Sequence, residues 1–363
     1  MGLKTAVRSR GQSTLLGQLR EEITSSYYRD GGFLPSTRDL AGRFGVSSET
    51  IRRSLKQLED EGVLHAEPRS GFRVSAPAQS GRARPIAYIT DYQADLSDAQ
   101  PATWALSLAF QGMAAERGRS LLGAHGKGRS AVEVLDQIRA GNASGVVLDT
   151  MDEQLHAGIL QAGLPVVMVN SWFEDAVVDV VLQDNYRGGF LAAEHLFASG
   201  ARRIAWIGAT AEFCHSRERF AGAGAALSTH GLRIADDCVC GREKAGVQED
   251  ISALLARADR PDGVLAFGPA GLAALVASAG SLGLTVGRDF QAVGWTVEEG
   301  YDLHYRPVFG GGPVPPAVVW SAREMAERAL ELLEQRSAAA GRRPVRVCVP
   351  TAIRLHGAKE DSR

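Results

Sequence analysis

Apolar residues near the start of the chain are spaced as in short amphipathic helices. Leu15, Leu19 and Ile23 recur every four residues with polar residues between them, which predicts a helix over roughly 13–28. A second short helix is expected to begin after Ser36, because a serine hydroxyl can cap the first free N–H groups of a helix. Each helix would present one apolar face to a small core.

A third helix and a hairpin follow. Ile51, Leu55 and Leu58 form the third apolar stripe, and Ser47 or Ser48 can cap its N-terminus. From Val63 to Ser75, two short extended runs flank the sequence PRSG, which is typical of a hairpin. Three short helices followed by a hairpin form the arrangement that places a helix in the major groove of DNA.

Farther along the chain, strands alternate with helices in two runs, about 86–184 and 185–310. Such alternation indicates parallel sheets covered on both faces, and its repetition predicts two similar lobes. At 363 residues the chain is also too long for one ordinary core. The predicted fold class is therefore α/β with an N-terminal winged helix-turn-helix. The domains are a DNA-binding domain over 1–76, a linker over 77–85 and a two-lobed domain over 86–357.

The distribution of charge favours nucleic acid as a partner of the first domain only. Residues 1–85 contain 14 Lys+Arg and 9 Asp+Glu, whereas the remaining residues contain 26 and 33. A basic N-terminal domain followed by an acidic second domain suggests that the N-terminal domain binds a polyanion. Chance clustering of basic residues is the alternative interpretation.

Several classes of protein find no support in the sequence. The four cysteines lack the paired spacing of a zinc site or a disulfide framework, so we predict no metal. No apolar run of 18 residues and no signal peptide are present, which predicts a cytoplasmic protein without membrane association. The motifs G-x-S-x-G, G-x-x-x-x-G-K-[ST] and H-E-x-x-H are absent, so we predict neither catalysis nor a cofactor.

The third helix carries small polar and basic residues at its N-terminal end, where side chains contact base edges and phosphates. A solvated helix face would look similar and remains the alternative. Basic residues before this helix and in the hairpin turn complete the set. The candidate DNA-binding residues are Arg38, Ser47, Ser48, Glu49, Thr50, Arg52, Arg53, Arg69, Ser70 and Gly71.

Three segments of the first domain resemble the GntR-type winged helix-turn-helix: LPSTRDLA at 34–41, FGVSSETIRRSL at 44–55 and LEDEGVL at 58–64. The resemblance implies DNA contacts by Arg38 and Arg52, with wing contacts from 69–71. Ser48 departs from the family pattern, which often has arginine or another longer side chain there.

The second domain resembles the LacI/GalR-type effector domain, which shares its fold with periplasmic sugar-binding proteins. The matching segments are VVLQDNYRGG at 180–189, AAEHL at 192–196, GARRIAWIG at 200–208 and SRERFAG at 216–222. In that family the arginine of the S-x-x-R-x-x-G pattern binds ligand hydroxyls, a role that the resemblance implies for Arg219. The whole chain resembles the GntR/LacI chimeric regulators of the arabinose-repressor type.

The ends of the predicted strands also indicate a ligand cleft, because ligands of parallel sheets bind beyond the carboxyl ends of the strands. Three of the five tryptophans fall near these ends, where an aromatic face can stack on a sugar; packing in a core is the alternative for each. Trp206 and Trp320 are expected to lie in the core. The candidate effector-binding residues are Tyr92, Trp104, Asp149, Asn170, Trp172, Arg219, Trp295 and Thr296.

Two positions depart from the effector-domain pattern. Gly268-Pro269 stands where the family usually has Asn-Asp, and Thr296 stands where it usually has Asp. Losing these carboxylates removes hydrogen-bond acceptors worth about 1 kcal/mol each. We therefore expect plain pentoses and hexoses to bind poorly and the effector to be larger, less polar or anionic. Alternatively, Glu298 or His304 replaces the lost acceptors.

These observations predict a transcription regulator that represses carbohydrate-related genes. It is expected to bind double-stranded operator DNA as a homodimer and to respond to a small-molecule effector, for which a sugar derivative is a candidate. One alternative is a ligand-independent DNA-binding regulator whose second domain serves only dimerisation. Another is an aminotransferase-like second domain that binds pyridoxal phosphate, which the lobe repeat and the segment around Arg219 argue against.

Overall fold

A computed structural model describes residues 15–16, 19, 34–60, 64–67, 71–74, 83–91, 101–173, 177–241, 247–266, 268–338 and 343–356. The chain divides into two compact units, Met1–Ala83 and Arg84–Arg363. Each unit has its own apolar core and is described by itself.

Among its described residues, the N-terminal unit has two complete helices and a hairpin. They are α1 (Thr37–Phe44), α2 (Ser48–Asp60), β1 (Leu64–Glu67) and β2 (Gly71–Val74), and the two strands pair antiparallel. The predicted caps are present: Ser36 Oγ accepts from the Asp39 N–H, and Ser47 Oγ accepts from the Thr50 N–H at 3.1 Å. Of the first predicted helix, the described residues Leu15, Leu16 and Leu19 are helical.

The C-terminal unit is built from two six-stranded sheets. Its helices are α3 (Pro101–Glu116), α4 (Ala131–Ala140), α5 (Glu153–Leu160), α6 (Asn185–Ala198), α7 (Cys214–Thr229), α8 (Val247–Leu255), α9 (Pro269–Ser281) and α10 (Ala322–Ala338). Its strands are β3 (Ala83–Thr90), β4 (Arg119–His125), β5 (Gly145–Asp149), β6 (Val166–Val169), β7 (Asp179–Gln183), β8 (Ile204–Ile207), β9 (Val239–Cys240), β10 (Gly263–Ala266), β11 (Gln291–Val297), β12 (Ala317–Trp320), β13 (Arg346–Val349) and β14 (Ala352–Arg354).

The two sheets confirm the predicted pair of lobes. The first has the strand order β13-β7-β6-β5-β3-β4 and the second β14-β12-β11-β10-β8-β9. Neighbouring strands run parallel in the pairings described for both sheets except β12 and β14, which are antiparallel. The lobes are not consecutive in sequence, however, because α10 returns the chain to the first lobe, packs on β5, β6 and β7, and leads into its edge strand β13.

Helices α6 and α7 pack together in the second lobe with their backbones almost touching. A Cβ atom at Gly189 would lie 2.1 Å from the Arg219 carbonyl oxygen, and one at Gly222 would lie 2.0 Å from the Tyr186 carbonyl oxygen. Only glycine permits such an approach, so these two residues set the spacing of the helices. Trp206 and Trp320 are buried in the core, as predicted.

Among the described residues, no helix has both the length and the apolar composition needed to cross a membrane. In the same part of the chain, no group of three or more His, Cys, Asp or Glu side chains could hold a metal ion.

Candidate DNA interface and effector site

Helix α2 presents the candidate DNA-binding residues on its exposed side. Its stripe of Ile51, Leu55 and Leu58 is fully buried. Because residues three and four apart lie on one helix face, burial of this stripe leaves the opposite face, with Arg52 and Arg53, exposed to solvent. The helix therefore offers a continuous polar surface beginning at its N-terminus.

An acidic residue lies within this basic surface. Glu49 forms ion pairs with Arg52 at 3.0 Å and with Arg53 at 3.4 Å, and all three side chains are more than half exposed. Ser47 Oγ and Thr50 Oγ1 are 2.8 Å apart. Exposed pairs of this kind contribute little to stability, so both arginines can exchange Glu49 for phosphate or base oxygens at little cost.

The remaining DNA candidates lie on other elements or outside the described residues. Ser48 is exposed at the start of α2, and Arg38 is exposed on α1. Gly71 begins β2 with φ of +100°, a backbone angle that favours glycine. Arg69 and Ser70 of the predicted wing lie outside the described residues.

In the second unit, Arg219 of α7 lies in the interior with only 6 % of its surface exposed. Its Nε donates to Asn185 Oδ1 at 2.8 Å, and its Nη2 donates to Gln183 Oε1 at 2.9 Å. The guanidinium also stacks on the Trp295 ring, 3.7 Å from the ring centroid. Burial lowers the pKa of Arg219 to about 9, so the side chain stays charged at neutral pH.

Trp295 is held by both polar and steric contacts. Its Nε1 donates to Gln183 Oε1 at 2.9 Å, and its ring edge lies against Gly188, where a Cβ atom would come within 2.3 Å. The indole is therefore buried and fixed in position, and the Arg219 guanidinium covers one of its faces.

The network continues into the first lobe through Gln183, the last residue of β7. Gln183 Nε2 donates to Asn170 Oδ1 at 2.8 Å, and the Asn170 side chain also bonds to Asp149. Asn170 has φ of +62°, a left-handed conformation that asparagine tolerates better than most residues. This conformation turns the chain at the end of β6, where its side chain meets Gln183.

Asp149 is the buried carboxyl group of this network. The Tyr88 hydroxyl donates to its Oδ2 at 2.7 Å. Burial raises the pKa of Asp149 to about 6, and the nearby Asp91 adds to this effect, while the Tyr88 and Asn170 hydrogen bonds oppose it. Asp149 therefore changes its protonation state close to neutral pH.

Glu218 connects the lobes at a second point. It lies on α7 next to Arg219, and it accepts from Trp172 Nε1 and from Asn185 Nδ2, each at 3.2 Å. Arg346 of β13 forms an ion pair with Glu218 and lies over the Trp172 ring. One carboxylate of the second lobe thus binds two side chains of the first.

The structure brings five predicted effector residues into this network: Asp149, Asn170, Trp172, Arg219 and Trp295. The residues that join them were not predicted. Gln183 and Asn185 lie inside the segment that resembles the effector-domain family, and a glutamine ending a buried strand was a signal that could have been used.

The other predicted effector residues lie elsewhere. The Trp104 ring meets the His304 ring edge-on, with centroids 5.4 Å apart. Thr296 is buried in β11 next to Trp295, and since neighbouring residues of a strand point to opposite faces, it does not face Arg219. Glu298, a suggested substitute acceptor, pairs with Arg354. Tyr92 lies outside the described residues.

The geometry defines a class of protein: a winged helix-turn-helix head joined to a two-lobed binding domain. The profile of "Bacterial regulatory proteins, gntR family" matches residues 12–74. The profile of "Periplasmic binding proteins and sugar binding domain of LacI family" matches residues 104–293, more than half of the chain. The chain belongs to this second family and carries a GntR-type head.

Two curated relatives are similar to parts of this chain. The arabinose metabolism transcriptional repressor of Geobacillus stearothermophilus is 27 % identical over 203 residues, which cover 52 % of this chain and 54 % of that protein. The uncharacterized HTH-type transcriptional regulator YcxD of Bacillus subtilis (strain 168) is 35 % identical over 80 residues, which cover 21 % of this chain and 18 % of YcxD. The chain thus spans about half or less of the length of these relatives.

Solved structures share the fold. The transcriptional regulator CelR–cellobiose complex superimposes with a TM-score of 0.65 at 21 % identity, covering 89 % of this chain and 99 % of that one. A LacI family transcriptional regulator from Mycobacterium smegmatis gives a TM-score of 0.61 at 24 % identity, covering 74 % and 97 %. The fold of the two-lobed domain is therefore that of LacI-type regulators.

Proposed function

We propose that this protein is an effector-controlled, DNA-binding transcription regulator that represses carbohydrate-related genes and acts by binding rather than by catalysis. The N-terminal unit would bind operator DNA in the cytoplasm, and the two-lobed unit would bind the effector. The names of the relatives, which include an arabinose metabolism repressor, support the role in carbohydrate metabolism.

One observation carries this proposal: the polar network that joins the two lobes through Arg219. It contains buried side chains that donate and accept hydrogen bonds where the two lobes meet. These bonds would have to break for the lobes to separate. Buried polar groups of this kind are strongly disfavoured unless they are satisfied. A ligand that replaces some of these partners would therefore change the relation between the lobes.

Such a change can alter DNA affinity only if the ligand binds the two lobe arrangements with different affinities. The contacts of Glu218 with Trp172 and Arg346 exist in the arrangement described here and would be lost in an opened one. We infer that the effector shifts the balance between these two arrangements and thereby changes operator affinity.

We further propose that the protein is a homodimer whose two-lobed units contact each other through α3. Leu108 on this helix is 48 % exposed, and its neighbours Gln111, Gly112 and Ala115 on the same side are exposed and uncharged. An exposed face without charge is typical of the centre of an interface. A second copy of the chain fits it, because paired heads are the usual way to read a palindromic operator.

The test is selection of bound duplexes from a random pool, followed by titration of the enriched sequence in increasing salt. We expect an enriched motif with two related half-sites, and binding that weakens steeply with salt as phosphates exchange counterions for Lys and Arg. An unenriched pool together with a flat salt dependence would exclude the proposed regulator.

A second candidate function is a ligand-independent regulator whose two-lobed domain only dimerises. The observation in its favour is that Gln183 and Asn185 already accept hydrogen bonds from Arg219. The two candidates differ in one measurement: an effector that changes operator affinity supports the first, whereas operator affinity that no ligand of a broad panel changes supports the second.

A further inference from the structure

The N-terminal end of α7 has the features of an oxyanion site. Its N-cap residue, Phe213, makes no side-chain cap, and its first turn holds no acidic residue. The free N–H groups and the dipole at such an end favour negative charge. Helix α7 is 16 residues long, so this end has a full dipole behind it.

A second observation is the hydroxyl of Ser216. This residue lies in the first turn of α7, is fully buried, and its Oγ has no hydrogen-bond partner among the described residues. Ser216 and Arg219 are three positions apart and share one face of the helix. Long side chains on a helix lean toward its N-terminus, which brings the guanidinium toward Ser216.

The hydrogen-bond partners described for Arg219 also favour an anionic ligand. The two hydrogen bonds described above end on neutral amide oxygens, those of Gln183 and Asn185. The Glu218 carboxylate attracts Arg219 and is also bound by Asn185, Trp172 and Arg346. Burial lowers the pKa of His215 to about 3, so this neighbour adds no second cation. Guanidinium bonds to an anion are roughly twice as strong as bonds between neutral groups.

We propose, on the basis of the regulator function above, that the effector carries a carboxylate or phosphate group that binds Arg219 and Ser216. The Gln183 carboxamide occupies the position of the oxyanion beside Arg219 and is displaced when the oxyanion binds. Its Oε1 accepts from Arg219 Nη2 and Trp295 Nε1, each at 2.9 Å, and a single oxyanion oxygen can accept the same two bonds. Displacement also frees Asn170, which links the exchange to the first lobe.

The test compares matched probes on the full chain by calorimetry and tryptophan fluorescence. The probes are D-glucuronate, D-glucose, which differs by the acid group, and inorganic phosphate. The variants are Arg219→Gln, Ser216→Ala and Gln183→Ala, with Arg217→Gln as a control that removes one charge from an exposed position of the same helix. Thermal unfolding and operator binding show whether each variant is folded.

We expect glucuronate or phosphate to bind at least about tenfold more tightly than glucose. Arg219→Gln should abolish this binding, Ser216→Ala should weaken it, Gln183→Ala should strengthen it several-fold, and Arg217→Gln should leave it unchanged. Glucose binding as tightly as glucuronate, oxyanion binding that survives in Arg219→Gln, or no oxyanion binding to the wild type and Gln183→Ala would each overturn the inference.

Failure of this inference and failure of the proposed function give different results. A regulator that responds to glucose or another neutral sugar, but not to oxyanions, would still bind a selected operator and change its affinity. Loss of the proposed function would instead appear as DNA binding without sequence selectivity, whatever the ligand.

Discussion

Replacing Gly222 by alanine should destabilise the two-lobed unit, although alanine favours helices. The new Cβ would lie 2.0 Å from the Tyr186 carbonyl oxygen and 3.1 Å from the Phe190 nitrogen, both in the backbone of α6. Contacts between non-bonded heavy atoms are optimal near 3.5 Å, so α6 would have to retreat by more than about 1 Å. Overpacking of this severity costs about 3 kcal/mol, and the helix propensity of alanine offsets about 1 kcal/mol.

Gly224 provides a matched control on the same helix. A Cβ atom there would meet nothing within 4 Å, so Gly224→Ala should gain about 1 kcal/mol from helix propensity alone. The two variants should therefore differ by about 3 kcal/mol in the free energy of unfolding, with opposite signs relative to the wild type. Because all five tryptophans lie beyond residue 100, fluorescence-monitored urea unfolding reports on the two-lobed unit. Equal urea midpoints for the two variants would refute the close packing of α6 and α7.

Three further predictions concern pH, DNA and assembly. The folded pKa of Asp149, about 6, exceeds the ordinary value of 3.8, so the free energy of unfolding should fall as pH rises between these values. Across that window, Asp149→Asn should gain up to about 3 kcal/mol relative to the wild type, and parallel urea-unfolding profiles of the two proteins would contradict this. Arg52→Ala should cost about 1 to 3 kcal/mol on the selected operator, whereas Arg38→Ala should weaken all duplexes similarly; unchanged operator anisotropy with Arg52→Ala would refute the assignment. In light scattering, Leu108→Glu should give monomers, whereas the control Val132→Glu, at an apolar position that is 66 % exposed, should give dimers; dimers in both cases would exclude α3 as the interface.

Local signals made the first unit predictable. Ser36 and Ser47 cap their helices through hydrogen bonds to residues three positions away, and the buried stripe of α2 follows directly from its spacing. Both features depend only on neighbours in sequence, so a sequence pattern contains all the information needed.

The end of β11 could not be predicted from such local signals. Trp295 was expected to lie near the end of a strand, whereas β11 continues to Val297 and pairs with β12. The extension places Thr296 inside the strand, facing away from Arg219. Strand β12 itself was not predicted: it has only four residues and follows a proline-rich segment, and its burial depends on a neighbour distant in sequence.

The joining residues of the effector site were missed for a related reason. Gln183 and Asn185 are ordinary polar residues in sequence, and they gain their roles only because the chain crosses between the lobes at β7 and α6. The sequence pattern could indicate that Arg219 matters, but which side chains meet it depends on this crossing.

The most direct test of effector control is a reciprocal titration with one ligand that binds the two-lobed unit. Operator affinity is measured by fluorescence anisotropy with and without saturating ligand, and ligand affinity is measured by calorimetry with and without saturating operator. Our account predicts that both dissociation constants change by the same factor, about 5-fold to 150-fold for a typical coupling. A ligand that binds tightly but leaves the operator dissociation constant unchanged would contradict effector control.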